Sequence, residues 1–282
     1  IVADSTTGEV LAIASQPGFN PNNPGERNSK GTRNRAIVDS FEPGSTVKPL
    51  LVAQALELGI FQPSSLIDTG AGTYKVGALT VRDVHPQGVV DLAKLLSKSS
   101  NVGAAKIGLT LGAEAVWSGY QRFGLGEPIY TGFPGEVAPR LRHFTEWGQI
   151  ATATASYGYG FSVNALHLLR AYAALANDGL MPQIRLVRGT RPLPPQRAVS
   201  AATAREVRRM LEQVVTPEGT ARRAAISGYR VAGKTGTVRK VSENGGYDGS
   251  RHQSLFIGMV PAERPRLVGL VMIDEPGTEA YY

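Results

Sequence analysis

Three short strings follow one another along the chain: Ser45-Thr46-Val47-Lys48, Lys98-Ser99-Ser100-Asn101 and Lys234-Thr235-Gly236-Thr237. They constrain the fold because each belongs to a different kind of local structure. Pro43-Gly44 is a turn, and Thr46 to Gly59 reads as an apolar helix closed by glycine, which puts Ser45 at a helix N-terminus. Backbone N–H groups there lack intrahelical partners and the macrodipole is positive, so negative charge growing on a nearby oxygen is stabilised. Lys48, three residues on, shares a helical face with Ser45. Pro49 falls in the first turn, where its missing N–H has little to bond. A chain of this length holds roughly one Ser-x-x-Lys by accident, and taken alone an N-cap serine with a surface lysine explains it.

The second string lies between two apolar helical stretches, Val89 to Ser97 and Val102 to Leu111, and so in a short interhelical corner. Serine and asparagine are also common cap and turn residues. The third belongs to a strand read from Gly228 to Val241 and interrupted by Gly233 and Gly236. Glycine weakens a strand unless something must approach its backbone closely, as an extended peptide does when it adds as a further strand. Lys234 then offers a cation and the hydroxyls of Thr235 and Thr237 offer donors to a terminal carboxylate. The N–H of Thr237 joins that of Ser45 in an oxyanion hole. Taken singly, Lys234 fits a basic edge strand that discourages aggregation. In combination the three strings describe a serine acylated without help from histidine.

Further strings extend the pattern: FEPGSTVKP, Arg82-Asp83-Val84, KSSNVG, GFPGE from Gly132, YGYGFSV from Tyr157, AYAALANDG from Ala171, AGKTGTVRK and IDEP. Over nearly its whole length the chain resembles the transpeptidase domain of class B penicillin-binding proteins, most closely their septal, division-associated branch, penicillin-binding protein three. The resemblance implies one transpeptidase domain over residues 1–282, of α/β (α+β) class. The expected architecture is a five-stranded antiparallel sheet flanked by helices, with a second, all-helical lobe. The implied activity is D,D-transpeptidation of peptidoglycan stem peptides in septal wall synthesis, with β-lactams as inhibitors and neither metal nor cofactor. Also implied are a septal glycosyltransferase and division proteins as partners, and a place at the periplasmic face of the bacterial inner membrane. The membrane helix and pedestal domain that carry such a domain would precede this chain.

Composition agrees. The 282 residues, 42% hydrophobic, suffice for one large domain or two joined lobes, and no apolar run reaches the ~18 residues of a membrane span. The absence of cysteine rules out disulfides and thiolate chemistry. A formal charge of +7 suits anionic wall material or carboxylate-terminated peptides, and equally suits solubility alone; nothing points to nucleic acid. The opening IVADSTTGEVLAIAS reads as a hairpin around Thr7-Gly8 that joins strands near 234–238, 254–260 and 267–274 in one sheet, beside a largely helical middle. Residues 20–35, 191–197 and 241–250 read as loops.

By the resemblance, Lys48 is the general base, kept neutral by burial and by the cation of Lys234. Ser99 is the proton relay to the leaving amine, and Asn101 orients Lys48 and the substrate amide. Tyr157 and Tyr159 border the cleft, and Arg239 faces ligand carboxylates. His252 stands where close relatives place a second aromatic wall residue, which affects the fit of individual β-lactams. His85, His143, His167 and His252 have no metal-ligand spacing, and His167 falls within an apolar helix. The same motifs serve D,D-carboxypeptidases, penicillin-binding sensors or scaffolds, and serine β-lactamases. Glu127-Pro128 echoes the glutamate-proline string with which one class of β-lactamase activates water, but lacks the asparagine that follows it.

Overall fold

The structure, a computed structural model, describes residues 1–23, 25, 30–189, 193–241 and 246–277. Parts of the three expected loops, at 24, 26–29, 191–192 and 242–245, lie outside the described residues. In chain order the elements are β1 (Val2–Asp4), β2 (Val10–Ala12), α1 (Arg35–Val38), α2 (Lys48–Glu57), β3 (Ile67–Asp68), β4 (Thr73–Val76), β5 (Leu79–Arg82) and β6 (Val89–Val90). There follow α3 (Leu92–Lys98), α4 (Asn101–Leu111), α5 (Ala113–Arg122), α6 (Gln149–Ser156), α7 (Ala165–Ala176), β7 (Leu180–Met181), β8 (Gln196–Arg197), α8 (Ala201–Glu212), β9 (Ala232–Val241), β10 (Tyr247–Val260) and β11 (Leu267–Asp274).

The expected five-stranded antiparallel sheet is present, in the order β2-β1-β11-β10-β9. The opening hairpin therefore pairs with the last strand, Val2 opposite Gly269, and β9 is left at an edge. Side chains alternate across the sheet. Ala3, Leu255, Ile257, Met259, Val268 and Leu270 are buried on one face, and register puts Lys234, opposite Ile257, on that same face. Helices α7 and α8 pack against it. The helical lobe is built around α2, whose residues from Lys48 to Ala55 are all buried and which packs on α4, α5 and α8. A helix apolar on nearly every side needs such surroundings. Its neighbours start where polar side chains cap them: Asp91, Ser100, Asn164 and Ser200 accept the backbone N–H of Lys94, Gly103, His167 and Thr203.

Besides the expected loops at 191–197 and 241–250, where Gln196–Arg197 form β8 and residues 247–250 open β10, four expectations need correction. The helix expected from Thr46 begins at Lys48, after a 3-10 turn over Gly44–Val47. Pro49 has no N–H to give to Ser45, so the bonding upstream is of the tighter kind, with the Lys48 N–H on the Ser45 carbonyl. The helix expected from Val89 begins at Leu92, because Asp91 caps it and Val89–Val90 pair with β3 instead. The strand expected from Gly228 begins at Ala232, since Gly228, at φ +80°, lies in a turn closed by the Tyr229 N–H on the Ile226 carbonyl. The second lobe is not all-helical: β3 pairs with β6, and β4 with β5 around Gly77-Ala78. Gly77, at φ +56° between two short strands, is a hairpin signal.

The two lobes are tied at the far end of α2. Glu57 accepts the Ser200 N–H at 3.0 Å, the Ser200 hydroxyl at 2.9 Å and the Thr203 hydroxyl at 2.6 Å, and so caps α8. Burial works against the carboxylate, but these hydrogen bonds outweigh it and hold its pKa below the usual range. A depressed folded-state pKa stabilises above the ordinary value and fades as pH falls through the folded one. Glu57→Gln is therefore expected to cost about 1–2 kcal/mol at neutral pH. In denaturant titrations across pH the difference should begin to shrink as pH falls below the ordinary glutamate value of about 4.3 and continue to shrink at lower pH; a pH-independent difference contradicts the cap.

Candidate active site

Ser45 is half-buried in the 3-10 turn, and Lys48, the first residue of α2, is fully buried. In such a turn residues three apart eclipse, so both side chains leave the same side. Lys48 Nζ lies 2.5 Å from the Ser99 carbonyl oxygen, 2.8 Å from Asn101 Oδ1 and 3.3 Å from Ser99 Oγ. From the opposite side Lys234 Nζ, equally buried, lies 3.0 Å from Ser99 Oγ and donates to the Thr235 carbonyl at 3.1 Å. Ser99 thus stands between two lysines that are 186 residues apart in the chain (234 − 48). It does so from a left-handed conformation, φ 58° and ψ 40°, at the corner between α3 and α4.

Backbone contact brings the strand to the serine. A Cβ on Gly236 would lie 2.9 Å from Thr46 Cγ2, and one on Gly44 would lie 2.7 Å from Val238 Cγ2. Thr46 cannot yield easily: it is buried, its hydroxyl donates to the Pro43 carbonyl at 2.7 Å, and the Tyr172 hydroxyl donates to its own carbonyl at 2.8 Å. Because β9 is an edge, half of its backbone groups face away from β10 and remain open to an added strand. Thr235 and Thr237, half-buried, stand on the face opposite Lys234 and with Gly236 help line a cavity of about 1150 Å³. Thr235 Oγ1 lies 2.8 Å from Thr220 Oγ1, which lines the same cavity.

Electrostatics follow from this packing. Burial, then the neighbouring charge of Lys234, hold the Lys48 pKa well below its ordinary value, against a smaller opposing pull from Asp83. Burial alone pushes Lys234 down to about 7. Lys48 is thus the amine that gives up its proton, and Lys234 the one that keeps a charge to lower acidity.

A family model of the penicillin binding protein transpeptidase domain matches residues 1–282. The chain belongs to that family. It is 40% identical over 282 residues to a protein named probable peptidoglycan D,D-transpeptidase PenA of Neisseria gonorrhoeae, and 38% identical to peptidoglycan D,D-transpeptidase FtsI of Escherichia coli K12. All of this chain is covered in both cases, but only 48% and 47% of those proteins, so the chain spans about half the length of these curated relatives. Among solved structures it resembles the apo TP domain of Burkholderia pseudomallei penicillin-binding protein 3 at 41% identity and TM-score 0.89, over 99% of this chain and 80% of that one.

In this transpeptidase domain the remaining sequence-predicted residues are less tightly gathered. Gly158 is bonded to the serine turn, its carbonyl accepting the Gly44 N–H at 3.0 Å, and the Gly160 N–H donates to Glu42 at 2.7 Å. Flanking Gly158, Tyr157 is 9% exposed and packs edge-on to Tyr159 at 5.7 Å. Burial and then Tyr159 push the Tyr157 hydroxyl up to about 12. Tyr159 lines a separate cavity of about 390 Å³ with Trp147 and Ile150, not the one beside Thr235. Arg239 is exposed on β9, opposite His252. His167 is a buried core residue whose ring meets Asn164 and the Glu127 carbonyl. The Glu127 side chain is exposed, and its loop is closed by Glu136, which accepts the N–H groups of Ile129, Tyr130 and Thr131. Sequence reasoning missed Thr220, which no motif contains.

Gly236→Ala is expected to force strand and serine turn apart and to cost about 1–3 kcal/mol. Thermal denaturation checks this, and a midpoint equal to that of the unsubstituted chain contradicts the close approach.

Proposed function

We propose that this chain is the catalytic domain of a septal D,D-transpeptidase that cross-links peptidoglycan stem peptides through an acyl-enzyme on Ser45. The observation that carries the reading is the placement of Ser99 Oγ between Lys48 and Lys234, with Asn101 on the first of them. The Ser99 carbonyl and Asn101 Oδ1 can only accept hydrogen bonds, so they take the two protons of a neutral Lys48 and leave its lone pair for a hydroxyl.

Lys48 removes the Ser45 proton as Oγ attacks the penultimate D-alanine carbonyl of the donor peptide. The N–H groups of Ser45 and Thr237 receive the oxyanion, and Thr235 and Thr237 hold the terminal carboxylate, with Lys234, buried on the other face of the strand, supplying positive charge behind them. On collapse the C–N bond breaks, Ser99 passes a proton to the departing D-alanine amine and takes one from Lys48. The amine of a second stem peptide then attacks the ester along the reverse proton path, giving the cross-link and free Ser45. A β-lactam carbonyl meets the same groups and leaves a covalent adduct. The relatives' names, peptidoglycan D,D-transpeptidases, support peptidoglycan as the substrate; the periplasmic, membrane-anchored setting and the glycosyltransferase and division-protein partners are part of this proposal.

Intact-protein mass spectrometry after exposure to a β-lactam should show one long-lived adduct on Ser45, absent in Ser45→Ala; rapid turnover of the β-lactam would instead support a β-lactamase. With a donor peptide ester and an acceptor amine, the cross-linked product should exceed the hydrolysed one, whereas hydrolysis alone would make the domain a carboxypeptidase.

The second-order acylation constant should be bell-shaped in pH. It rises as Lys48 loses its proton, and falls as Lys234 loses its own, with that limb near about 7 in the free domain. A monotonic rise to pH 10 in stopped-flow acylation contradicts the assignment of Lys234.

A further inference from the structure

The amine that resolves the Ser45 ester must enter where the D-alanine amine left, because the second half of the reaction retraces the first. The rest of the acceptor then lies on the side of Thr235 and Thr237, which line a cavity of about 1150 Å³. Pockets for whole drug-sized ligands run from roughly 300 to 1,000 Å³, so one terminal amino acid leaves most of this space unfilled. Register carries the cavity along the outer face of the sheet. Phe256 stands beside Thr235 and Val271 beside Phe256, while Ser254 stands beside Thr237 and Ile273 beside Ser254, and all of them line it. Val271 and Ile273 are exposed there, which makes this wall an apolar strip. Another wall is the segment 217–223 that joins α8 to β9. Its backbone is secured: the Gly219 N–H donates to the Thr216 carbonyl at 2.9 Å, the Ala221 N–H to the Val214 carbonyl at 2.8 Å, and Lys98 Nζ to the Glu218 carbonyl at 2.6 Å. Arg222 and Arg223 on this segment line the cavity and are exposed, and among the described residues neither guanidinium has a hydrogen-bond or ion-pair partner. Glu218 is the one carboxylate among the described residues that line it.

We propose that Arg222 and Arg223 form an acceptor subsite: they hold the far carboxylate of an acceptor whose attacking amine sits on a D-configured carbon, with its hydrocarbon stem along Phe256, Val271 and Ile273. This rests on the acyl-transfer reading of Ser45. A carboxylate on the amine-bearing carbon takes the place on Thr235 and Thr237 that the D-alanine carboxylate vacated. The amine nitrogen then bonds to the acyl carbon, the ester C–O bond breaks, and the proton lost by nitrogen goes to Ser45 Oγ. A guanidinium keeps its charge throughout the working pH range and meets a carboxylate as a two-pronged donor. Because both arginines are exposed, each contact is modest and serves to select the acceptor.

The test loads Ser45 from a D-alanyl thioester donor and compares two acceptors, D-2-aminopimelate and its ω-amide, which differ only in the charge at the far end. The unsubstituted chain is expected to form about threefold or more aminolysis product with the diacid than with the amide. That ratio should fall toward one in the double variant Arg222→Gln, Arg223→Gln. Arg209→Gln removes an exposed charge from α8 outside the cavity and should keep the ratio. A ratio of one in the unsubstituted chain overturns the proposal whether or not the variants fold. A preference that survives the double variant, or that Arg209→Gln abolishes equally, overturns it too. A chain on which neither the thioester nor a fluorescent penicillin acylates Ser45 defeats the acyl-transfer reading and this proposal with it, whereas an acyl-enzyme whose aminolysis ignores the far carboxylate defeats this one alone.

Discussion

Two fully buried lysines face one serine hydroxyl, and the remainder of the site is arranged around that costly fact. A buried ammonium without compensation costs several kcal/mol, and two within reach of one oxygen repel each other as well. The system relieves this by giving up a proton, and burial together with Lys234 makes Lys48 the one that does so. On the proposed acyl-transfer reading, what is ordinarily a penalty supplies a base without a histidine. The acceptors around Lys48, the Ser99 carbonyl and Asn101 Oδ1, keep its two remaining N–H groups satisfied, so the neutral amine is not left unpaired.

The fold exists to hold that arrangement from two sides. Lys48 comes from the apolar core helix α2, whose burial fixes the amine's depth. Lys234 comes from the inward face of an edge strand, where burial and a free backbone edge coincide. Glycine at 44 and 236 lets turn and strand touch, and Tyr172 on α7 holds the Thr46 carbonyl beneath the turn. Side chains on β9 divide the labour: Lys234 points into the protein, and Thr235 and Thr237 point the other way toward the cavity.

Much of this was legible in the chain because the informative residues carry strong local rules. Proline and glycine at 43, 44 and 49 mark the serine turn, paired serines and asparagine mark the corner, and alternation marks the sheet; the meeting of Lys48, Ser99, Asn101 and Lys234 was implied by the family resemblance, since no local rule joins positions so far apart. Boundaries failed where a short-range competitor won: Asp91 capping α3, the missing N–H of Pro49, the turn at Gly228. The small hairpin at 73–82 was hidden inside a stretch read as helical. Thr220 has no spacing rule linking it to Thr235, and Asp83 was visible only as part of a string, since its bonds to residues 100–102 cross 17 to 19 positions. Tyr157 illustrates the converse: its motif marks a real loop against Gly44, but packing turns its ring into the core.

The central claim is that Lys48 is an uncharged amine in the resting domain. Nuclear magnetic resonance of ¹³Cε-labelled lysine, assigned with Lys48→Arg, measures this directly. The account predicts that the Lys48 signal titrates well below those of the exposed lysines and moves upward in pH when Lys234 is replaced by alanine. A Lys48 signal that titrates with the exposed lysines near 10.4 contradicts it.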